Sequence, residues 1–198
     1  AMILRHDRMQ IKGLTDRDYY VTLVNRAILL FGISMLITLA TWIAYRVFMD
    51  SNNCIVSGFL HMLSISMLIA IPLLRFKRWN LIFGLVIMGV GTLLIPHFTS
   101  PEWLFPLGIH SPEFLLHTPD YFPLFPWTGV LLLGVGLGNV FYPNGIRGFT
   151  LNYKPGKVMQ TMAKLGNGTV TLFIYIIHMP VILAILWIFS AITGFGYL

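Results

Sequence analysis

The chain has 198 residues, of which 57% are hydrophobic and only 10% are charged, and its mean hydropathy is +0.79. Because a soluble domain carries about 25% charged residues, this composition excludes an ordinary soluble protein and indicates a membrane protein. The one cysteine, Cys54, excludes an internal disulfide and a thiolate metal cluster within one chain.

Five apolar stretches of the chain are long enough to cross a bilayer, since a helix needs about 20 apolar residues to cross about 30 Å of hydrocarbon. None of them alternates as the strands of a membrane barrel do, and unpaired backbone groups are costly in lipid. The predicted fold is therefore all-α, a polytopic transmembrane helical bundle that forms a single membrane domain over 1–198. The predicted spans cover residues 23–48, 54–74, 79–96, 125–143 and 168–193.

The distribution of basic residues predicts the orientation of these spans. The formal net charge is +6, and Lys and Arg concentrate before span one, after span two and in the inner loop 144–167. The outer loop 97–124 contains no Lys or Arg. The positive-inside rule then predicts a multi-pass protein of the cell membrane with a cytoplasmic amino terminus. The same basic loops allow a second interpretation, a site for the phosphates of a nucleotide-bearing cofactor or of anionic lipids.

The glycines of the fourth span indicate packing and not a nucleotide loop. Gly134, Gly136 and Gly138 lie inside an apolar span, where small residues allow helices to approach closely. The sequence contains no Walker-type loop and no nucleic-acid-binding module, so no nucleic-acid partner is expected.

Two of the six histidines, His61 and His178, lie inside predicted spans, where an ionisable group is costly and therefore draws attention as a functional candidate. His61 has serines nearby, so it either bonds within the bundle or contacts a substrate. His178 follows Tyr175 by three residues, which places both side chains on one helix face, and Pro180 removes a backbone donor just beyond them. The alternative is that His178 bonds a carbonyl within the bundle.

The outer loop contains a dense set of possible acids and bases. Its histidines lack the spacing of metal ligands, so no metal is expected. Asp120 lies beside the membrane surface among prolines, where a carboxylate can hold or deprotonate a polar acceptor. Tyr121 and Trp127 fit either an interfacial aromatic belt or an acceptor site.

Three stretches of the chain carry a resemblance to a known family: SNNCIVSGFLHMLSISMLIA, TPDYFPLFPWTGVLLLGVGLGN and LGNGTVTLFIYIIHMPVIL. Together they resemble the heparan-alpha-glucosaminide N-acetyltransferase catalytic-domain family, in particular its small prokaryotic members. The resemblance covers the chain from Arg17 onward, and its most specific motif is the run at 120–127. It implies that an acetyl or acyl group passes from cytoplasmic acyl-CoA, the co-substrate, to an amine or hydroxyl of a sugar on the outer side.

The resemblance also implies roles for individual residues. Asp120 and its aromatic neighbours line the outer acceptor entrance, the last span lines a central cavity, and Arg147 with its neighbours forms the entrance for CoA. The predicted site residues are Asp120 and His178 for catalysis, Tyr121, Trp127, Tyr175 and His61 for substrate binding, and Arg147, Lys154 and Lys157 for acyl-CoA.

Family members usually begin with two further spans, and the histidine usually assigned the catalytic role lies in that region. We expect this chain to lack both, which leaves open whether it is itself an active enzyme. An alternative function is a non-catalytic carrier or channel for a small polar or lipid-linked molecule. The expected partners are the lipid bilayer, a sugar or glycan acceptor and, through bundle assembly, further copies of the chain.

Overall fold

The structure is a computed structural model, which describes residues 13, 15–49, 51–143, 146, 148–150, 156–166 and 168–193. The chain divides into two compact units, Ala1–Thr150 and Leu151–Leu198. In the described residues, three helical runs are long and apolar enough to cross a membrane, or four if one bent pair of helices counts as a span. The predicted helical membrane bundle is confirmed, and the predicted number of five spans is approximate. The prediction of a single membrane domain stays a prediction.

The helices of the described residues follow the predicted spans closely, although α1 begins earlier than its predicted span at residue 23. The first unit contains α1 (Asp16–Met49), α2 (Phe59–Leu73), a 3-10 turn (Leu74–Trp79), α3 (Asn80–Gly89), a wide turn (Val90–Leu94), a 3-10 turn (Ile95–His97), a 3-10 helix (Glu102–Leu107), α4 (Phe114–His117) and α5 (Leu124–Phe141). The second unit contains α6 (Lys157–Leu165) and α7 (Gly168–Thr193).

The start of α1 is determined by local sequence. The Thr15 hydroxyl donates to Asp18 Oδ2 over 2.6 Å, and the Thr15 backbone N–H donates to the same oxygen over 3.0 Å. The Asp18 backbone N–H in turn donates to Thr15 Oγ1 over 3.4 Å. This reciprocal pair satisfies donors that the first turn of a helix leaves free, and its carboxylate favours the positive end of the helix.

The run Phe59–His97 contains a reversal of chain direction. As a straight helix its 39 residues would extend about 58 Å, roughly twice the hydrocarbon thickness. The backbone of Lys77 is non-helical, with φ 45° and ψ −115°. The Asn80 side-chain amide donates to the carbonyl oxygens of Leu73 and Lys77, both over 2.9 Å, and so closes the turn between α2 and α3.

Helices α2 and α5 run in the same direction. Near their starts, the rings of Phe59 and Phe122 lie 5.6 Å apart. Further along both helices, Ser66 Oγ lies 2.7 Å from Thr128 Oγ1 in a buried hydrogen bond. Because both contacts advance together along the two segments, α2 and α5 are parallel.

Helices α3 and α5 run in opposite directions and approach closely at glycines. A Cβ built on Gly84 would lie 2.7 Å from the carbonyl oxygen of Gly129, and one built on Gly136 would lie 2.6 Å from Leu81 Cγ. Gly136 is therefore a packing glycine as predicted, whereas a Cβ on Gly134 would meet nothing within 4 Å. A contact between Gly91 and Pro126 continues the antiparallel series.

Helix α1 packs against α2 in the antiparallel sense. The Thr38 hydroxyl donates to the carbonyl oxygen of Ile55 over 2.6 Å, just before α2. About two turns earlier in α1, the ring of Phe31 meets the ring of His61 edge-on at 5.9 Å. Contacts that lie further along α2 therefore involve earlier residues of α1, which makes the two helices antiparallel.

These directions give the first unit two chemically different ends. The start of α1 and the turn at Leu74–Trp79 lie at one end, here called the basic end, which carries four cations, Arg17, Arg75, Lys77 and Arg78, and two carboxylates, Asp16 and Asp18. The segment before α2 and the loop before α5 lie at the other end, the acidic end, which carries Glu113 and Asp120 together with Arg46 in the last turn of α1. With Arg46 as the one exception, the alternation matches the one expected from the charge pattern. Which end faces the cytoplasm stays a prediction.

In the second unit, α6 and α7 are separated by a bend of 72°. The sequence analysis assigned residues 144–167 to a loop, and α6 forms a helix inside that loop. The signal for it was present, because apolar residues recur at positions 158, 162 and 165 with helical spacing.

Candidate functional site

Two extended segments meet at the acidic end of the first unit. Ser57, just before α2, forms an isolated parallel bridge with Tyr121, just before α5. The Phe122 backbone N–H donates to the Ser57 carbonyl oxygen over 2.7 Å, and the Ser57 hydroxyl donates back to the Phe122 carbonyl over 3.4 Å. These bonds hold the segment that carries Asp120 against the start of α2.

The carboxylate of Asp120 lies directly against the residue that precedes α2. A Cβ built on Gly58 would lie 2.8 Å from Asp120 Oδ2 and 2.7 Å from Ile55 Cγ2. Gly58 has an extended backbone and offers no side chain to the first turn of α2. The carboxylate therefore sits at the positive end of α2, which stabilises its charge. Glycine at position 58 leaves the space that the carboxylate occupies, and the sequence analysis did not single it out.

His61 follows Gly58 by three residues, about one helical turn further into the bundle. Its side chain is buried, with 5% of its surface exposed. The ring meets Phe31 edge-on, and Nε2 lies 3.4 Å from Thr38 Oγ1.

The hydrogen bonds of Thr38 determine which nitrogen of His61 carries the proton. The single Thr38 hydroxyl proton points to backbone carbonyl oxygens, that of Ile55 at 2.6 Å and that of Ser34 at 3.2 Å. In the contact with His61 the hydroxyl oxygen is therefore the acceptor, and the His61 Nε2–H is the donor. Nδ1 is left as an acceptor with no hydrogen-bond partner in the described part of the chain. A buried imidazole with a free acceptor nitrogen can receive a proton or orient a polar substrate.

Tyr121 is held inside the outer loop by its own contacts. Its hydroxyl donates to the Phe105 carbonyl oxygen, and its ring meets His110 edge-on at 4.9 Å and Phe114 at 5.4 Å. Burial raises the pKa of the Tyr121 phenol to about 12. The phenol is thus a neutral donor whose proton is already engaged, and Tyr121 reaches a substrate best through its ring.

Trp127 presents its indole at the same end. The side chain is 39% exposed, and its ring lies 5.1 Å from that of Phe122. A partly exposed indole that packs on another aromatic ring is suited equally to an interfacial aromatic belt and to contact with a sugar ring.

Two further histidines of the outer loop make hydrogen bonds, one to the next residue and one to the segment before α2. His110 Nδ1 donates to the Ser111 carbonyl over 2.9 Å, and His117 Nδ1 donates to Asn53 Oδ1 over 3.1 Å. Among the residues that the structure describes, no group of three or more His, Cys, Asp or Glu side chains is placed to hold a metal ion.

In the second unit, Tyr175 and His178 lie on one face of α7, as their spacing indicated. Their rings lie 5.3 Å apart, and His178 Nδ1 donates to the Tyr175 carbonyl oxygen. Both side chains are half-buried. Lys157 is exposed at the first position of α6, whereas Arg147 and Lys154 lie outside the described residues.

The family model described as heparan-alpha-glucosaminide N-acetyltransferase, catalytic, matches residues 1–180. The chain belongs to this family. No curated protein and no solved structure gives a match. This member of the heparan-alpha-glucosaminide N-acetyltransferase catalytic family is accordingly an acetyltransferase-like membrane protein.

Family membership gives the charge pattern of the chain a chemical context. The family uses acetyl-CoA as the acetyl donor, and the phosphates of CoA require cations. Exposed cations are present at the basic end, where the Arg75 guanidinium also lies over the Phe76 ring at 4.8 Å, and Lys157 is a further exposed cation in the second unit. The residues present are therefore compatible with a phosphate-bearing donor.

Proposed function

We propose that this chain transfers an acetyl or acyl group from cytoplasmic acyl-CoA to an amine or hydroxyl of a sugar on the outer side of the membrane. Three observations support the proposal: the family match over residues 1–180, the basic and acidic ends of the first unit, and the polar groups at the acidic end. The sugar binds at the acidic end, beside Asp120, Tyr121 and Trp127.

The observation that carries the proposal is the Asp120 carboxylate, held against Gly58 one turn before the buried imidazole of His61. In the transfer, the acceptor nitrogen or oxygen attacks the acyl carbonyl carbon, the carbon–sulfur bond breaks, and CoA leaves with the sulfur. The acceptor must lose a proton, and Asp120 is the base that receives it. His61 orients the acceptor through Nδ1.

The remaining predicted residues act on the donor. Lys157, with Arg147 and Lys154, binds the CoA phosphates through charge-assisted hydrogen bonds. His178 and Tyr175 line the path of the acyl group. The half-buried His178 has its Nδ1–H engaged by the Tyr175 carbonyl, so Nε2 remains as a hydrogen-bond acceptor.

The first test is acetyl transfer by the chain reconstituted in liposomes, measured with radiolabelled acetyl-CoA and glucosamine. Replacing Asp120→Asn removes the base but keeps the shape, and we expect the rate to fall about 100-fold or more. The matched control is Glu113→Gln, a change at an exposed carboxylate of the same loop, which should leave the rate unchanged. Gly58→Ala, which displaces the carboxylate, should also slow transfer.

Equal rates for Asp120→Asn and the original chain would contradict the role of Asp120. If the chain shows no transfer, a thermal-shift titration with acetyl-CoA and free CoA decides whether it binds the donor, because a ligand of the folded state raises its apparent stability. Absence of a saturable shift, together with glucosamine flux that needs no acyl-CoA, would indicate a carrier instead.

A further inference from the structure

Helix α6 separates polar and apolar side chains on opposite faces. At about 100° per residue, Val158, Met162 and Leu165 lie within one narrow stripe. The opposite stripe contains Lys157, Gln160 and Lys164. The helix contains no Asp or Glu, so both of its charged side chains are cationic.

The apolar stripe of α6 is open. Val158 is 76% exposed, Met162 is 66% exposed and Leu165 is 51% exposed. Such a stripe on a short helix is unfavourable in water and calls for an apolar partner.

The geometry of the second unit indicates which partner this is. Helix α7 is long and apolar, and α6 meets it at a bend of 72°. When α7 crosses a bilayer, α6 consequently lies close to the plane of the membrane surface. An amphipathic helix in that orientation immerses its apolar face at the boundary between headgroups and acyl chains.

We propose that α6 is an interfacial helix that binds the surface of an anionic bilayer. Its apolar stripe faces the acyl chains, and Lys157 and Lys164 extend to the phosphates of anionic lipids. The positive polar face and the lipid phosphates are complementary in charge. This role is independent of acyl transfer. It gives Lys157 a lipid partner in addition to its proposed role in binding the phosphates of acyl-CoA.

The first experiment measures the immersion of the two faces in the full-length chain. In a Cys54→Ser background, a spin label is attached either at Met162→Cys on the apolar stripe or at Gln160→Cys on the polar stripe. The chain is placed in nanodiscs of phosphatidylcholine with phosphatidylglycerol. We expect the label at 162 to be accessible to oxygen and shielded from an aqueous nickel complex, and the label at 160 to show the reverse.

The second experiment tests the charge. The label at 162 reports the ratio of α6 bound to the membrane surface to α6 free of it. We expect this bound-to-free ratio to fall about fivefold for each lysine replaced, in Lys157→Gln and in Lys164→Gln. In pure phosphatidylcholine the same replacements should have no effect. The matched control, Arg78→Gln in the first unit, should leave the ratio unchanged in both lipids.

Two outcomes of the first experiment would overturn the proposal. Equal access of the nickel complex to both positions would place the helix in water. A label at 162 that is shielded from both oxygen and nickel would indicate a protein partner over the apolar stripe. In the second experiment, a ratio that does not depend on phosphatidylglycerol would refute the anionic lipid as partner. None of these measurements requires acyl-CoA, so they are independent of the proposed acyl transfer.

Discussion

At the scale of single residues, the acidic end depends on Gly58, which has no side chain. The Asp120 carboxylate occupies the space where Gly58 would otherwise carry a Cβ, and the bonds of Thr38 determine the free nitrogen of His61. Asp120 was identifiable from the sequence as an acid beside the membrane surface. Gly58 was not, because one glycine before a helix carries no signal until its spatial neighbour is known.

Tyr121 supports a prediction on pH dependence. Burial raises its pKa from 10.0 to about 12, so the folded state favours the neutral phenol. The resulting stabilisation is complete below pH 10 and is lost as the pH rises toward 12, because the unfolded chain then releases a proton that the folded chain retains. We expect the thermal midpoint to fall with pH over this window less steeply in Tyr121→Phe than in the original chain.

The control for that experiment is Tyr142→Phe, which should keep the full alkaline loss. Tyr121→Phe also removes the hydrogen bond to Phe105, so its free energy of unfolding at neutral pH should be lower by about 1 kcal/mol, and its thermal midpoint should be lower as well. The comparison is therefore between the slopes of the thermal midpoint against pH. Identical slopes in all three proteins would contradict the prediction.

At the scale of elements, α3 and α5 are held together by close backbone approach. Gly84 and Gly129 face each other where the two helices cross, and neither has room for a methyl group. In lipid, where apolar burial offers little drive for association, such contacts are a main source of helix packing. The glycine-rich part of α5 was recognisable in the sequence, but the glycine at the crossing is Gly129.

Two alanine substitutions in α5 test this contact. In Gly129→Ala the new Cβ would lie 2.6 Å from the Gly84 carbonyl oxygen and 2.7 Å from Met88 N, which are backbone atoms that cannot rotate away. We expect a loss of about 1–3 kcal/mol in the free energy of unfolding in detergent. In Gly134→Ala the Cβ meets nothing within 4 Å, and the better helix propensity of alanine should leave stability equal or up to about 1 kcal/mol higher. Equal stability of the two variants would contradict the close contact of α3 with α5 at Gly129.

At the scale of the whole molecule, the first unit is polarised from end to end. Its helices alternate in direction, so the basic turn at Leu74–Trp79 and the acidic segment before α5 lie at opposite ends. The reversal at Lys77 is essential to this arrangement, because it divides the run Phe59–His97 into two helices of opposite direction.

Cysteine labelling in intact cells tests the polarity. In a Cys54→Ser background, a membrane-impermeant maleimide should label Ser111→Cys directly and should label Arg78→Cys only after the membrane is permeabilised. The opposite pattern would contradict the orientation expected from the charges. Labelling of both positions from one side without permeabilisation would contradict the division of the run at Lys77.

The sequence by itself determined that this protein is a helical membrane bundle, approximately where its spans lie, which segments carry the charge, and its family. Hydropathy, charge and motifs belong to residues that are neighbours along the chain, so they are readable without a structure. Only the tertiary structure decided that Asp120 meets Gly58, that Ser66 bonds Thr128 and that α3 crosses α5 at Gly129. Such contacts join residues far apart in sequence, and they depend on the direction and rotation of whole helices, which hydropathy does not specify.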